Sequence, residues 1–174
     1  ATDGSGNTAT CTFTVRVTDT QSPQIICPSN LELSADPGRC SRSNVALSVN
    51  ATDNCRVTNV VSIPPSGSTF PVGVTIVTNI ATDGSGNTST CTFTVTVTDT
   101  QSATITCSSN LVFEADPGQC SRSNVSFSLG VIDNCGVTTV VSSRTNGSTF
   151  PVGTTIVTNT VTDASGNTSA CTFT

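Results

Sequence analysis

Apolar and polar positions alternate with a period of two along much of the chain. In CTFTVTVTD, Cys91, Phe93, Val95 and Val97 alternate with Thr92, Thr94, Thr96 and Thr98. This rhythm puts one set on the core face of a strand and the other on its outer face. Leu31, Leu33 and Ala35 keep the same beat, as do Val45, Leu47 and Val49, while 57–63 and 75–80 are β-branched runs. Turn sequences separate them. Asp36-Pro37-Gly38 is expected to close a hairpin, and Asp53-Asn54, Pro64-Pro65-Ser66-Gly67 and Asp83-Gly84-Ser85-Gly86-Asn87 make further turns. No segment has helical periodicity. About seven short strands at this spacing predict an all-β fold, an immunoglobulin-like or fibronectin III-like sandwich.

The pattern also repeats as a whole. ATDGSGNTATCTFT opens the chain, ATDGSGNTSTCTFT returns at 81 and VTDASGNTSACTFT at 161, so the period is 80 residues. About two thirds of aligned positions are identical, which makes the repeat the folding unit. The chain divides into 1–20, the final turn and strand of a preceding repeat, then 21–100, then 101–174, a repeat cut off in its last strand. Two explanations of the overlapping ends compete: a window on a longer covalent array, or donation of the strand 11–18 between copies. CTFT occurs at both ends, which favours the window.

Units of this size bury a small core and need staples. Each full repeat carries four cysteines, Cys27, Cys40, Cys55 and Cys91, then Cys107, Cys120, Cys135 and Cys171, while Cys11 corresponds to Cys91 and is expected to pair outside this sequence. Even numbers per unit, no His and no closely spaced zinc-type pair predict disulfides and an extracellular location, secreted or at the cell surface. If 25–35 rises from one pole and 40–49 returns, Cys27, Cys55 and Cys91 fall near the pole where the chain enters. Cys27–Cys55 and Cys107–Cys135 are then the favoured bridges. Cys40–Cys91 would have to span the unit, and the rival is Cys40 to Cys107 of the next unit with Cys55–Cys91. The connectivity stays open at this point.

CPSN, ADPGRC, ATDNC, GSTFPVG and ATDGSGNTSTCTFTVTVTDTQSP, in that order, resemble the hyalin repeat, or HYR domain, over essentially the whole chain. The resemblance implies an immunoglobulin-like fold and a role in extracellular adhesion or matrix, with no catalytic residue to carry over. Two positions change between the copies: Pro23 becomes Ala103 and Pro28 becomes Ser108, so the second junction is expected to be less stiff.

The chain has no His, Lys, Tyr, Trp or Met, and its cysteines are expected in bridges, which argues against an enzyme. A net charge of −5 without a basic patch argues against nucleic acid, and no apolar run is long enough for a membrane span. No cofactor is expected, with calcium the one ion to consider. Asp83, Ser85 and Asn87 imitate the start of a calcium loop, and Asp99, Asp133 and Asp163 would add oxygens at a junction. No bidentate Glu follows at the expected place, so a glycine turn with self-bonded side chains is preferred.

About a third of the residues are Ser or Thr and only 10% are charged, so hydroxyls dress the outer faces. Sequons stand at Asn50, Asn87, Asn124, Asn146 and Asn167, and Thr92, Thr94, Thr96 and Thr98 offer O-linked sites. Only seven residues separate Val97 from Ile105, too few for a flexible tether, so adjacent repeats must touch. A linear array of touching, near-identical beads predicts a structural subunit of an extracellular filament or matrix fibre, whose partners are its own repeats and attached glycans. The alternative is a cell-adhesion or ligand-binding ectodomain, with or without dependence on calcium.

Overall fold

The computed structural model describes residues 1–174. It is all-β, with no helix. The first repeat contains β1 (Gln24–Ile26), β2 (Leu31–Ser34), β3 (Ser41–Val45), β4 (Asn50–Thr52), β5 (Val57–Ile63), β6 (Ser68–Pro71), β7 (Gly73–Asp83) and β8 (Thr88–Thr98). The second contains β9 (Thr104–Cys107), β10 (Ser121–Val125), β11 (Leu129–Ile132), β12 (Val137–Ser142), β13 (Ser148–Pro151), β14 (Val157–Asp163) and β15 (Thr168–Phe173).

The long hairpin β7–β8 is the spine of the first repeat, in register from Gly73↔Val97 to Thr82↔Thr88. Its alternation is the one seen in the sequence: Phe93, Val95 and Val97 are buried, and the threonines between them are exposed or half-buried. β5 joins the β7 edge antiparallel and β2 the β8 edge in parallel, giving the sheet order β2-β8-β7-β5. Ladders β3–β6 and β1–β4 form separately. Val45 of β3 and Phe70 of β6 pack on Val77, Phe93, Val95 and Val97, so the core lies between the four-stranded sheet and the β3–β6 ladder, as a sandwich requires.

The second repeat repeats this plan in β9–β11, β10–β13 and β12-β14-β15. Residues 111–114, the counterparts of β2, form no strand. In the first repeat β2 pairs with Val95–Thr98, and the second repeat as given has no counterpart of those four residues. Leu111 N–H reaches only the Thr174 carbonyl, at 2.6 Å. A cavity of about 600 Å³ opens between Leu111, Phe113, Val125, Phe150, Val157 and Phe173. Residues 11–18, the other copy of this strand sequence, belong to no sheet, and Phe13, Val15 and Val17 are exposed.

Two expectations are corrected. The turn at Asp36-Pro37-Gly38 forms, with Arg39 N–H on the Asp36 carbonyl at 3.0 Å, yet it closes no hairpin, because β2 and β3 lie in different ladders. Nor is 25–35 one rising strand: the chain leaves β1, paired with β4, and crosses at 27–30 to the opposite sheet as β2.

Candidate functional site at the joint between repeats

Residues 99–103 join the repeats and are bonded on both sides. From the second repeat, Asn167 Nδ2 donates to the carbonyls of Asp99 and Gln101, each at 3.2 Å, and Ser169 Oγ donates to the Ala103 carbonyl. From the first, Gly38 N–H donates to Gln101 Oε1 at 2.6 Å, and just before the segment Ala35 N–H holds the carbonyl of Thr98, the last residue of β8, at 2.8 Å. Asn134 spans the joint, its Nδ2 donating to the Arg39 carbonyl at 3.0 Å and to Asp99 Oδ1 at 3.2 Å. The earlier joint uses the same parts: Asn87 Nδ2 donates to the carbonyls of Asp19 and Gln21, and Ser89 Oγ to that of Pro23.

The joint is acidic at its centre. Asp99 from the connecting segment, Asp133 from the loop after β11 and Asp163 from the end of β14 each bring a carboxylate oxygen within 4.8 Å of the others. Asp19, Asp53 and Asp83 do the same at the first joint. Local turns aim these groups. Asp133 Oδ1 accepts Cys135 N–H at 2.8 Å, Asp99 Oδ1 accepts Gln101 N–H at 3.1 Å, and Asp163 Oδ1 accepts both Ser165 and Asn167 N–H at 2.8 Å. Burial pushes the Asp163 carboxyl up, but its bonds from Asn167, Ser165 and Gly166 outweigh that, and the group sits below the ordinary carboxylate value. Asp83 behaves alike.

The sequence motif DGSGN is therefore a turn: Ser85 N–H and Asn87 N–H donate to Asp83 Oδ1, each at 2.8 Å, and Asn87 Nδ2 to Asp83 Oδ2. Gly86 turns the chain with φ +89°. The six oxygens expected around an ion divide differently. Asp99, Asp133 and Asp163 come together, whereas Asp83 joins Asp19 and Asp53, with Ser85 and Asn87 as its donors. In the sequence Asp53 stands out only as a turn residue, and Asp19 carries no metal signal of its own. Their recurrence 80 residues on, as Asp99 and Asp133, was the available signal.

The disulfides correct the favoured pairing. Cys27 bonds Cys91 and Cys107 bonds Cys171, each pair with Cα atoms 5.9 Å apart, while Cys40 bonds Cys135 of the next repeat with Cα atoms 4.8 Å apart. Cys27–Cys55 and Cys107–Cys135 do not form, because Cys27 sits at the crossover between sheets, packed on the core beside β8, while Cys55 lies in an exposed Asx turn at the pole. Cys40–Cys107 and Cys55–Cys91 do not form either; the inter-repeat link exists, but its far end is Cys135. Cys11, Cys55 and Cys120 are free thiols here. Desolvation, then the charges of Asp19, Asp53 and Asp83, push the Cys55 thiol pKa up, which makes it a poor nucleophile.

Among the sequons, Asn50, Asn124 and Asn146 are exposed. Asn87 and Asn167 are half-buried, and the amide nitrogen that a glycan would use is spent on joint and turn bonds. Of the threonine ladder, Thr92 and Thr98 are exposed and Thr94 and Thr96 half-buried.

A family model described as "HYR domain" matches residues 18–97 and again 98–174. The chain belongs to the HYR family. It is 37% identical over 180 residues to Hyalin of Strongylocentrotus purpuratus, covering 98% of this chain and 15% of that protein. It is 36% identical over 182 residues to Hyalin of Lytechinus variegatus, covering all of this chain and 34% of that one. Against the sushi, von Willebrand factor type A, EGF and pentraxin domain-containing protein 1 of Rattus norvegicus it is 34% identical, covering 88% and 4%. The chain thus spans a minor part of each relative. Among solved structures, cadherin domains 1–4 of protocadherin gamma B7 align over 91% of this chain and 51% of theirs, at 14% identity and a TM-score of 0.36. In HYR terms, the joint at 99–103 lies at the start of the second matched unit, and Asp19 to Pro23 at the start of the first.

Proposed function

We propose that these HYR repeats build an extracellular structural filament or matrix fibre, glycosylated on its outside and without catalysis. The carrying observation is the Cys40–Cys135 bridge, which fastens consecutive repeats beside a connecting segment already bonded to both. Repeat equivalence extends it: Cys135 is the counterpart of Cys55 and Cys120 the counterpart of Cys40. Cys55 therefore suits a Cys40 counterpart in a preceding repeat, and Cys120 a Cys55 counterpart in a following one. Each bead is about as long as the 11 residues of β8, or ~36 Å. Disulfides of this density persist in oxidising compartments, which supports an extracellular site alongside the likeness to Hyalin. No helix of the chain is long and apolar enough to cross a membrane.

Neighbouring repeats are the partners in this reading, and glycans are carried at Asn50, Asn124 and Asn146 and on Thr92 and Thr98. Imaging of the native material tests it. Unbranched rods with a bead spacing of ~35 Å and sugar density at those positions are expected. Repeats that tumble independently in NMR relaxation measurements would overturn it.

A further inference from the structure

We propose that Asp99, Asp133 and Asp163 hold one divalent cation of the calcium type at the joint, and that Asp19, Asp53 and Asp83 form the equivalent site one repeat earlier. The carboxylates converge to within 4.8 Å, and both ion pairs of the chain, Arg42–Asp36 and Arg122–Asp116, lie elsewhere. Three negative groups therefore face one another with no protein cation among them. Two of them also have an unused oxygen. Asp99 is only 4% exposed, yet its Oδ2 accepts no hydrogen bond, and the buried Oδ2 of Asp133 is equally without a partner. Oxygens of this kind, shut off from water and unbonded, are costly unless an ion or ordered water meets them. The first joint repeats the defect in the same atoms, Asp19 Oδ2 and Asp53 Oδ2.

Donor type and the origin of the donors in separate segments choose the ion. All three donors are carboxylate oxygens, which suits a hard cation. Two oxygens on one ion lie at most two bond lengths apart, about 4.6–5.2 Å for calcium and about 4.2 Å for magnesium. Oxygens within 4.8 Å of one another can share one ion, and carboxylates drawn from three separate segments suit calcium's flexible shell better than the near-ideal octahedron that magnesium demands. Three carboxylates and water would complete its six to eight ligands, with the weak affinity of extracellular modules, roughly 10⁻⁴–10⁻³ M. Because Asp99 belongs to the connecting segment and Asp133 and Asp163 to the following repeat, the ion fastens the joint next to Cys135. The binding site stands whether or not the repeats serve a fibre.

Calorimetric titration of the chelator-treated, disulfide-intact chain with calcium chloride, and separately with magnesium chloride, tests this. Two calcium ions per chain are expected, with weaker magnesium binding and a higher melting temperature in calcium. Asp133→Asn keeps an oxygen to accept Cys135 N–H while removing one charge, and should delete one of the two sites. Asp53→Asn should delete the other. No heat and no melting shift of the unmodified chain at about 10 mM calcium would overturn the proposal, as would an unchanged stoichiometry in a folded Asp133→Asn chain.

Discussion

Replacing Cys27 and Cys91 together by Ala removes a bridge that closes 64 residues of the first repeat and leaves the second repeat as an internal reference. In the chain-entropy treatment, such a loop restrains the unfolded state by about 4 kcal/mol. The substitution also takes an acceptor from Asn79, which is fully buried and whose Nδ2 donates to Cys27 Sγ at 3.2 Å. Its remaining contact on that side is the Cys91 carbonyl at 3.5 Å, so ~1 kcal/mol more is expected. An 80-residue unit has in total roughly 4–12 kcal/mol. The variant repeat should therefore be close to unfolding in water. The chain has no Trp or Tyr, so urea unfolding is best followed by circular dichroism together with amide exchange resolved by repeat. Two transitions should replace one, with the first repeat lost at low urea. A loss below about 1 kcal/mol, or equal loss in both repeats, would refute the view that this bridge staples one unit.

Trypsin without reduction should release Cys40-Ser41-Arg42 linked to 123–144, and a three-peptide species in which 17–39 and 145–174 are both linked to 57–122; mass spectrometry reads both, and a 17–39 species linked to 43–56 would restore the rejected Cys27–Cys55 pairing. Val95→Ala, at a fully buried site, should cost about 2 kcal/mol by urea unfolding, and the outward Thr92→Ala under ~0.5 kcal/mol. Asp36 and Asp116 lie below the carboxylate value of 3.8, chiefly through the hydroxyls of Ser43 and Ser123. Their contribution is complete above 3.8 and lost as pH falls through the depressed folded values, because the unfolded chain binds protons first. Urea midpoints measured down the acid range should fall less steeply for Asp36→Asn with Asp116→Asn than for the parent. Glycopeptide mapping should find sugar at Asn50, Asn124 and Asn146 and none at Asn87 or Asn167, whose amides serve the joints.

The parts of this molecule that could be read directly from the sequence are those governed by local rules. β7 and β8 follow from strict alternation, and the Asp83–Asn87 turn from its glycines and short polar side chains. The cysteine pairing could not be read that way, since it depends on where the chain changes sheets. Nothing in QIICPSNLELS marks the crossover between β1 and β2 except Pro28, and a straight strand there carries Cys27 to the wrong partner. The acidic joint was half legible for a related reason. Asp83, Ser85 and Asn87 are close in sequence and suggested one site, but Ser85 and Asn87 turned out to be donors to Asp83, whose true companions are 64 and 30 residues away, at Asp19 and Asp53.

The bridge from Cys40 to Cys135 skips over the peptide path between the two repeats. A protease that cut anywhere within 99–103 would leave Cys40 on one fragment and Cys135 on the other, still tied by sulfur. Reduction alone would leave the backbone whole. Parting the beads takes two unrelated injuries, one hydrolytic and one reductive, so damage from either source alone is survivable.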